Sequence, residues 1–220
     1  MDKLTGFIPE KELYGEMEAL INKNGEFALI AVDLDDFYSI NRDFGREAGD
    51  DVIRLVATCI RDKFPEPCLG FRGGDGFFVI IPNGIKESAF LKAEELRKAI
   101  CEAKLDYTSA EGRQISQTAS IGVASYPDDG SRPADIYRRA DSAIARAKKN
   151  GRNLVYLARE EKLLPKTSHY TQAQLDKLSL ISEFLNVGEA TLMREALDEL
   201  LKKYDAERMQ ASAHKPHISG

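Results

Sequence analysis

Four carboxylates carry the strongest chemical promise in this chain. Asp33, Asp35 and Asp36 close an apolar run, Phe27 to Val32, and Asp75 follows Gly73 and Gly74 between two further apolar segments. Carboxylates at the end of a buried strand cost desolvation energy unless they are paired or hold a cation. Glycines that take positive φ bring backbone close to a ligand. Together these residue types suit a site for a divalent cation and a phosphate. The plainer alternatives are a Gly-rich tip that only turns the chain and aspartates that cap the following helix, which should hold for at least one of the three. Asp33, still in strand register, is the metal candidate.

The elements that must position these groups follow from periodicity. Residues 26–33 read as a buried central strand, and the glycines sit at the tip of a hairpin over residues 68–82. Helices are expected at 9–24, at 46–64 with Val52, Leu55, Val56, Cys59 and Ile60 at helical spacing, at 87–104 and at 133–150. Strands are expected at 116–125 and 153–157. This alternation predicts an α/β (α+β) fold, a sheet with helices packed on it.

Five ordered motifs add a family. Asp2-Lys-Leu-Thr-Gly6, the stretch Asp33 to Asp50 with Phe37, Asn41, Gly45 and Gly49, the hairpin Gly73 to Phe77, Ser120 to Ala124, and Ala140-Asp141 with Ala147 to Asn153 resemble the GGDEF domain over residues 1–158. These are bacterial diguanylate cyclases, which condense two GTP into cyclic di-GMP. The resemblance implies a palm-like sheet and a Mg2+ or Mn2+ ion held by Asp33, Asp75 and the carbonyl of Leu34. It implies that Asp75 is the catalytic base. Phe37, Asn41, Asp50, Gly73 and Gly74 would belong to the nucleotide site, with Asn41 and Asp50 on the guanine edge, because an acidic side chain accepts from its N1–H and amino group. Lys148 and Arg152, read as one helical turn apart on one face, would meet the terminal phosphates.

The chain also departs from the pattern. Gly76 stands where the family has the second acidic residue of the hairpin, which removes one metal carboxylate. Tyr38, Arg42, Arg46 and Ala145 replace Lys, Asp, His and Tyr, and Phe71 replaces an Arg, with Arg72 expected on the opposite sheet face. Phe64 and Pro67 occupy the places of the inhibitory RxxD pair, so product inhibition there is expected to be absent. These departures favour a degenerate domain that binds guanine nucleotide with weak or lost turnover. The alternatives are an active cyclase and a non-enzymatic scaffold, against which retention of Asn41, Asp50, Lys148 and Arg152 argues.

After Pro165 a separate pattern begins. Leu175, Leu178, Ile181 and Leu185 share one helical face, Asn186-Val-Gly188 breaks it, and Leu192, Met193, Ala196, Leu197, Leu200, Leu201 and Tyr204 recur in a second helix. Preceded by the extended segment Lys166 to Tyr170, residues 166–205 resemble a ribbon-helix-helix unit, which implies a homodimer whose paired strands meet DNA. Lys166 and His169 are its candidate DNA contacts. Residues 159–220 nevertheless carry nine Lys or Arg against ten Asp or Glu, so a dimerisation module without DNA contact has equal standing. Residues 206–220 have little apolar content and are expected to be disordered.

Across all 220 residues the formal net charge is -5, which excludes a globally basic nucleic-acid binder. No apolar run approaches the roughly 18 residues that suggest a membrane span, and no signal-peptide pattern opens the chain. A cytoplasmic protein is expected, and the motif at Asp2 leaves no room for a preceding sensor. Cys59, Cys68 and Cys101 lack CxxC spacing and read as free, mostly buried thiols.

Overall fold

The computed structural model describes residues 1–65, 69–105, 107, 114–159 and 168–185, and then 188–190, 192–193, 196–197, 200–201 and 203–204. It divides into two compact units, Met1–Glu161 and Lys162–Gly220. The first contains β1 (Ile8–Pro9), a 3-10 turn (Glu10–Glu12), α1 (Leu13–Asn22), β2 (Phe27–Leu34), α2 (Phe37–Phe44) and α3 (Arg46–Lys63). It continues with β3 (Leu69–Gly73), β4 (Gly76–Pro82), α4 (Lys86–Glu102), β5 (Ala119–Tyr126), α5 (Pro133–Lys149) and β6 (Val155–Leu157).

These strands make one sheet in the order β1-β3-β4-β2-β5-β6. The four inner strands pair antiparallel, while β1 joins β3 and β6 joins β5 in parallel. A strand covered on both faces needs apolar residues at every position, and β2 supplies them. Phe27, Leu29 and Ala31 meet Leu13 and Met17 of α1 and Ile136 and Ala140 of α5. Ala28, Ile30 and Val32 meet Val52, Val56 and Ile60 of α3 and Ala93 and Leu96 of α4. The expected palm-like sheet with flanking helices is the fold observed. Its two cores fix β2 from both sides, so the strand end that carries Asp33 has little freedom.

Two elements were not expected, β1 and α2. The thiols also differ from expectation: Cys59 is half-buried and Cys101 exposed, while Cys68 lies outside the described residues.

In the second unit α6 spans Gln172–Leu185. Thr171 starts it with a reciprocal cap: its N–H donates to Gln174 Oε1 (2.9 Å) and its hydroxyl accepts from the Gln174 N–H (3.3 Å). No residue of α6 is buried. Leu175, Ile181 and Leu185 are exposed, and so are Leu197, Leu200, Leu201 and Tyr204 of the segment that follows, whereas Leu192 and Met193 are half-buried. Among the described residues, most of the burial expected of that second apolar face is therefore not made. Ser168 to Tyr170 carry no strand, His169 is exposed, and Lys166 lies outside the described residues, as do 206–220. No helix among the described residues is long and apolar enough to cross a membrane.

Candidate nucleotide site

The β3–β4 hairpin pairs Gly73 with Gly76 and turns through Gly74 and Asp75. Only Gly74 takes positive φ (59°), so the expectation of two such glycines is corrected. Gly73 is needed for a different reason. A Cβ there would sit 2.0 Å from Glu10 Oε2, because the Glu10 carboxylate packs directly on its backbone. Tyr137 of α5 donates its hydroxyl to the other oxygen of Glu10 at 2.8 Å. The hairpin tip is thus held from one face and leaves Asp75 exposed.

Asp33 lies directly across the ladder from Gly76 on one side and Ser120 on the other. Its Oδ1 is 2.6 Å from Lys148 Nζ, a charge-assisted ion pair that is this buried oxygen's one close partner among the described residues. Burial raises the Asp33 pKa above the ordinary carboxylate range; Lys148 opposes that shift, and the nearby charges of Asp75 and Asp35 add to it. A half-buried carboxylate that feels the charge of Asp75 suits a cation. Among the described residues, however, no group of three His, Cys, Asp or Glu side chains is arranged to hold a metal ion.

The neighbouring aspartates take other work. Asp35 is buried and accepts from Ser120 Oγ, Thr118 Oγ1 and the Asn153 N–H, bonds that commit its carboxylate to the fold. Asp36 occupies the N-cap position of α2 in a left-handed conformation, without a side-chain capping bond. Its Oδ1 lies 3.6 Å from Arg152 Nε. Arg152 is not on the face of α5 as expected. The helix ends at Lys149, and Arg152 follows Gly151 with φ 62°. Lys148 and Arg152 still converge, each ion-paired with an aspartate of the β2–α2 segment.

Asn41 on α2 packs against Gly49 of α3, the residue before Asp50. A Cβ at Gly49 would fall 2.1 Å from Asn41 Oδ1 and 3.3 Å from Phe37 Cζ, so Gly49 leaves the space that the Asn41 amide fills. No hydrogen bond joins the side chain of Asn41 or of Asp50 to another described residue, although the Asn41 carbonyl accepts from the Gly45 N–H. Adjacent Asp51 is by contrast committed to Arg54 and to the Tyr107 hydroxyl.

The departures also have places. Phe71 is fully buried beside α1 and α5, whereas Arg72 faces the other side, 3.2 Å from Asp2 Oδ2. Phe64 is buried in the core and lines a cleft of about 420 Å3 with Thr5, Phe7, Ile60 and Arg61. That cleft contains none of the site residues; Pro67 lies outside the described residues.

A family model described as diguanylate cyclase, GGDEF domain, matches residues 1–154. The chain belongs to the GGDEF family. Diguanylate cyclase A of Treponema denticola is 36% identical over 151 residues, which cover 66% of this chain and 39% of that protein. The response regulator PleD of Caulobacter vibrioides is 31% identical over 160 residues, 70% of this chain and 35% of the relative. The GGDEF chain thus spans well under half the length of these curated relatives. Among solved structures, the coiled coil and GGDEF domain of DgcB from Caulobacter crescentus, in complex with c-di-GMP, superposes with a TM-score of 0.65 at 28% identity. The match covers 72% of this chain and 85% of that one.

Sequence reasoning missed Glu10 and the full role of Asp35. The first is a surface glutamate to any periodicity argument. The second depends on partners 83 to 118 residues away. No local signal marks either.

Proposed function

We propose that the chain is a guanine-nucleotide-binding GGDEF domain of cyclic-di-GMP signalling whose cyclase turnover is weak or lost. The observation that carries this reading is the ladder position opposite Asp33. Gly76 stands there with no side chain, and Lys148 supplies the charge that faces the carboxylate. One Mg2+ or Mn2+ would be held by Asp33, Asp75 and the Leu34 carbonyl, and would supply charge to neutralise the phosphates. The residues for a second ion are not present. Asn41 and Asp50 accept and donate at the guanine edge, with Phe37 beside Asn41, and Gly73 and Gly74 keep the hairpin backbone close. Lys148 and Arg152 exchange their aspartate partners for the triphosphate. Asp75, the base by family analogy, acts with too little cation charge to activate a 3'-hydroxyl well.

Residues 166–205 serve as a homodimerisation module, supported by apolar faces that one chain leaves exposed. DNA contact through Lys166 and His169 is the further possibility that a ribbon-helix-helix arrangement brings.

Titration with GTP and Mg2+, with product analysis on the same preparation, tests the reading. Nucleotide should bind with little or no cyclic di-GMP formed, and Gly76→Glu should restore part of the turnover. The substitution asks for a shift of a few tenths of an ångström: a Cβ at Gly76 would meet the Gly73 and Val32 carbonyls at 3.3 and 3.4 Å. Robust turnover by the unaltered chain would make it an active cyclase instead. Absence of guanine-nucleotide binding would leave the scaffold reading.

A further inference from the structure

Asp35 gathers the start of β5 and the turn before β6 onto one buried carboxylate. It is 7% exposed. Ser120 Oγ donates to its Oδ1 at 2.7 Å, while Thr118 Oγ1 and the Asn153 N–H donate to its Oδ2 at 2.8 and 3.0 Å. Its own backbone is fixed as well: the Asp35 N–H donates to the Thr118 carbonyl (2.9 Å), and Gln117 Nε2 donates to the Asp35 carbonyl (2.9 Å).

The bond to Asn153 reaches an unusual turn. Gly151, Arg152 and Asn153 take φ of 117°, 62° and 48° in succession. Two consecutive L-residues in the left-handed region persist only where surrounding contacts over-determine them. The Asp35 carboxylate is one such contact. Arg97 Nη1 on the Asn153 carbonyl oxygen of the side chain (2.9 Å) is another, and the Arg152 N–H on the Ala147 carbonyl (3.0 Å) is a third. The turn so held presents Arg152 to Asp36 and to the place proposed for the phosphates.

We propose that Asp35 is a positioning residue for phosphate recognition, holding the α5–β6 turn that aims Arg152 and tying it to the strand end that carries Asp33. This inference rests on the guanine-nucleotide reading of the site. It makes Asp35 act through hydrogen bonds and not through its charge on a cation. An asparagine can reproduce that action. Its amide oxygen accepts from Thr118 and Asn153, and its Nδ2 donates to Ser120 Oγ, because a hydroxyl accepts as readily as it donates. An alanine cannot.

The test measures GTP and GMP affinity by calorimetry and amide hydrogen exchange on the full chain. In the unaltered protein the Asn153 amide should exchange at least ~100-fold more slowly than an open turn amide, since it is bonded to a buried carboxylate. Asp35→Ala should weaken GTP about 10-fold or more, within the range for lost outer-shell partners, with GMP changed less than ~2-fold. Asp35→Asn should stay within ~3-fold of the unaltered chain for GTP, and Asp35→Ala combined with Arg152→Ala should be no weaker than Arg152→Ala alone. The proposal is overturned if Asp35→Asn loses as much as Asp35→Ala, which would make the charge itself the requirement. Equal loss of GTP and GMP would overturn it too, by showing general damage to the fold. An unprotected Asn153 amide would overturn it even if Asp35→Ala does not fold. Failure of the unaltered chain to bind any guanine nucleotide would remove the functional reading alone, and the exchange measurement would still decide the clamp.

Discussion

Gly49→Ala separates recognition from folding at the guanine edge. Gly49 lies inside α3, where its φ is ordinary, so replacing it by alanine should favour the helix by about 1 kcal/mol. The new Cβ would lie 2.1 Å from Asn41 Oδ1 and 3.0 Å from Asn41 Cγ. Both atoms belong to the free end of a side chain, which can turn away at a cost of roughly 0.5–1.5 kcal/mol. The two effects nearly cancel, so the melting temperature should move by no more than about 2–4 °C in either direction. Binding has no such compensation. Displacing the Asn41 amide removes one or two hydrogen bonds to the base, about 1–2 kcal/mol together, or ~5–30-fold in Kd. Calorimetric titration with GTP and ATP, beside a thermal melt, reads both quantities. Unchanged GTP affinity with the preference over ATP intact would refute the assignment of Asn41. A melting temperature lowered by much more than the cancelling terms allow would refute the steric argument.

Three other outcomes are expected. Asp50→Ala should abolish the preference for GTP over ATP, measured by competitive titration, while the unaltered chain should prefer GTP. Light scattering should find the full chain dimeric and the chain without residues 166–220 monomeric; reversing the charge of Lys166 should then abolish any salt-sensitive DNA binding without affecting the dimer. The third concerns pH: partial burial works to raise the Asp2 pKa, but the hydrogen bonds from Thr5 and the charge of Arg72 outweigh it and hold the carboxyl below its ordinary value. A depressed folded pKa stabilises the fold above the unfolded pKa, and that contribution disappears as pH falls through the folded one. The stability gap between the unaltered chain and Asp2→Asn, followed by denaturant melts, should therefore be full near neutrality and close under acid conditions below the ordinary Asp range.

Much of this architecture was legible because the apolar positions are so regular. The uninterrupted run of β2 could only be a strand covered on both sides, and the glycines at 73 and 74 could only turn a hairpin of that length. β1 escaped because two residues, one of them proline, carry no periodicity. α2 escaped because eight residues are too few to establish a period, although Phe37, Ile40 and Phe44 do fall at i, i+3 and i+7 and pack on the core. The i, i+4 spacing of Lys148 and Arg152 suggested one helical face, although Asn150-Gly151 already signalled where the helix stops. Spacing singled out two cations that do converge on Asp33 and Asp36, but with the wrong geometry. Asp35 lay beyond reach for a different reason: three adjacent aspartates look alike in sequence, and only Ser120, Thr118 and Asn153 distinguish the middle one. In the C-terminal segment the apolar period was correctly visible, but a period identifies a face and not what covers it.

The ends of the sheet have a consequence for assembly. β1 has two residues and β6 three, so the outermost strands offer only a few unpaired backbone groups. A long free edge would invite a second molecule to extend the sheet, whereas edges this short give an incoming strand almost nothing to hold. Among the described residues, β1 and β6 are therefore poor templates for strand-by-strand growth. Self-association is left to side chains, whose identities can be tuned by substitution, rather than to a backbone ladder that any sequence could join.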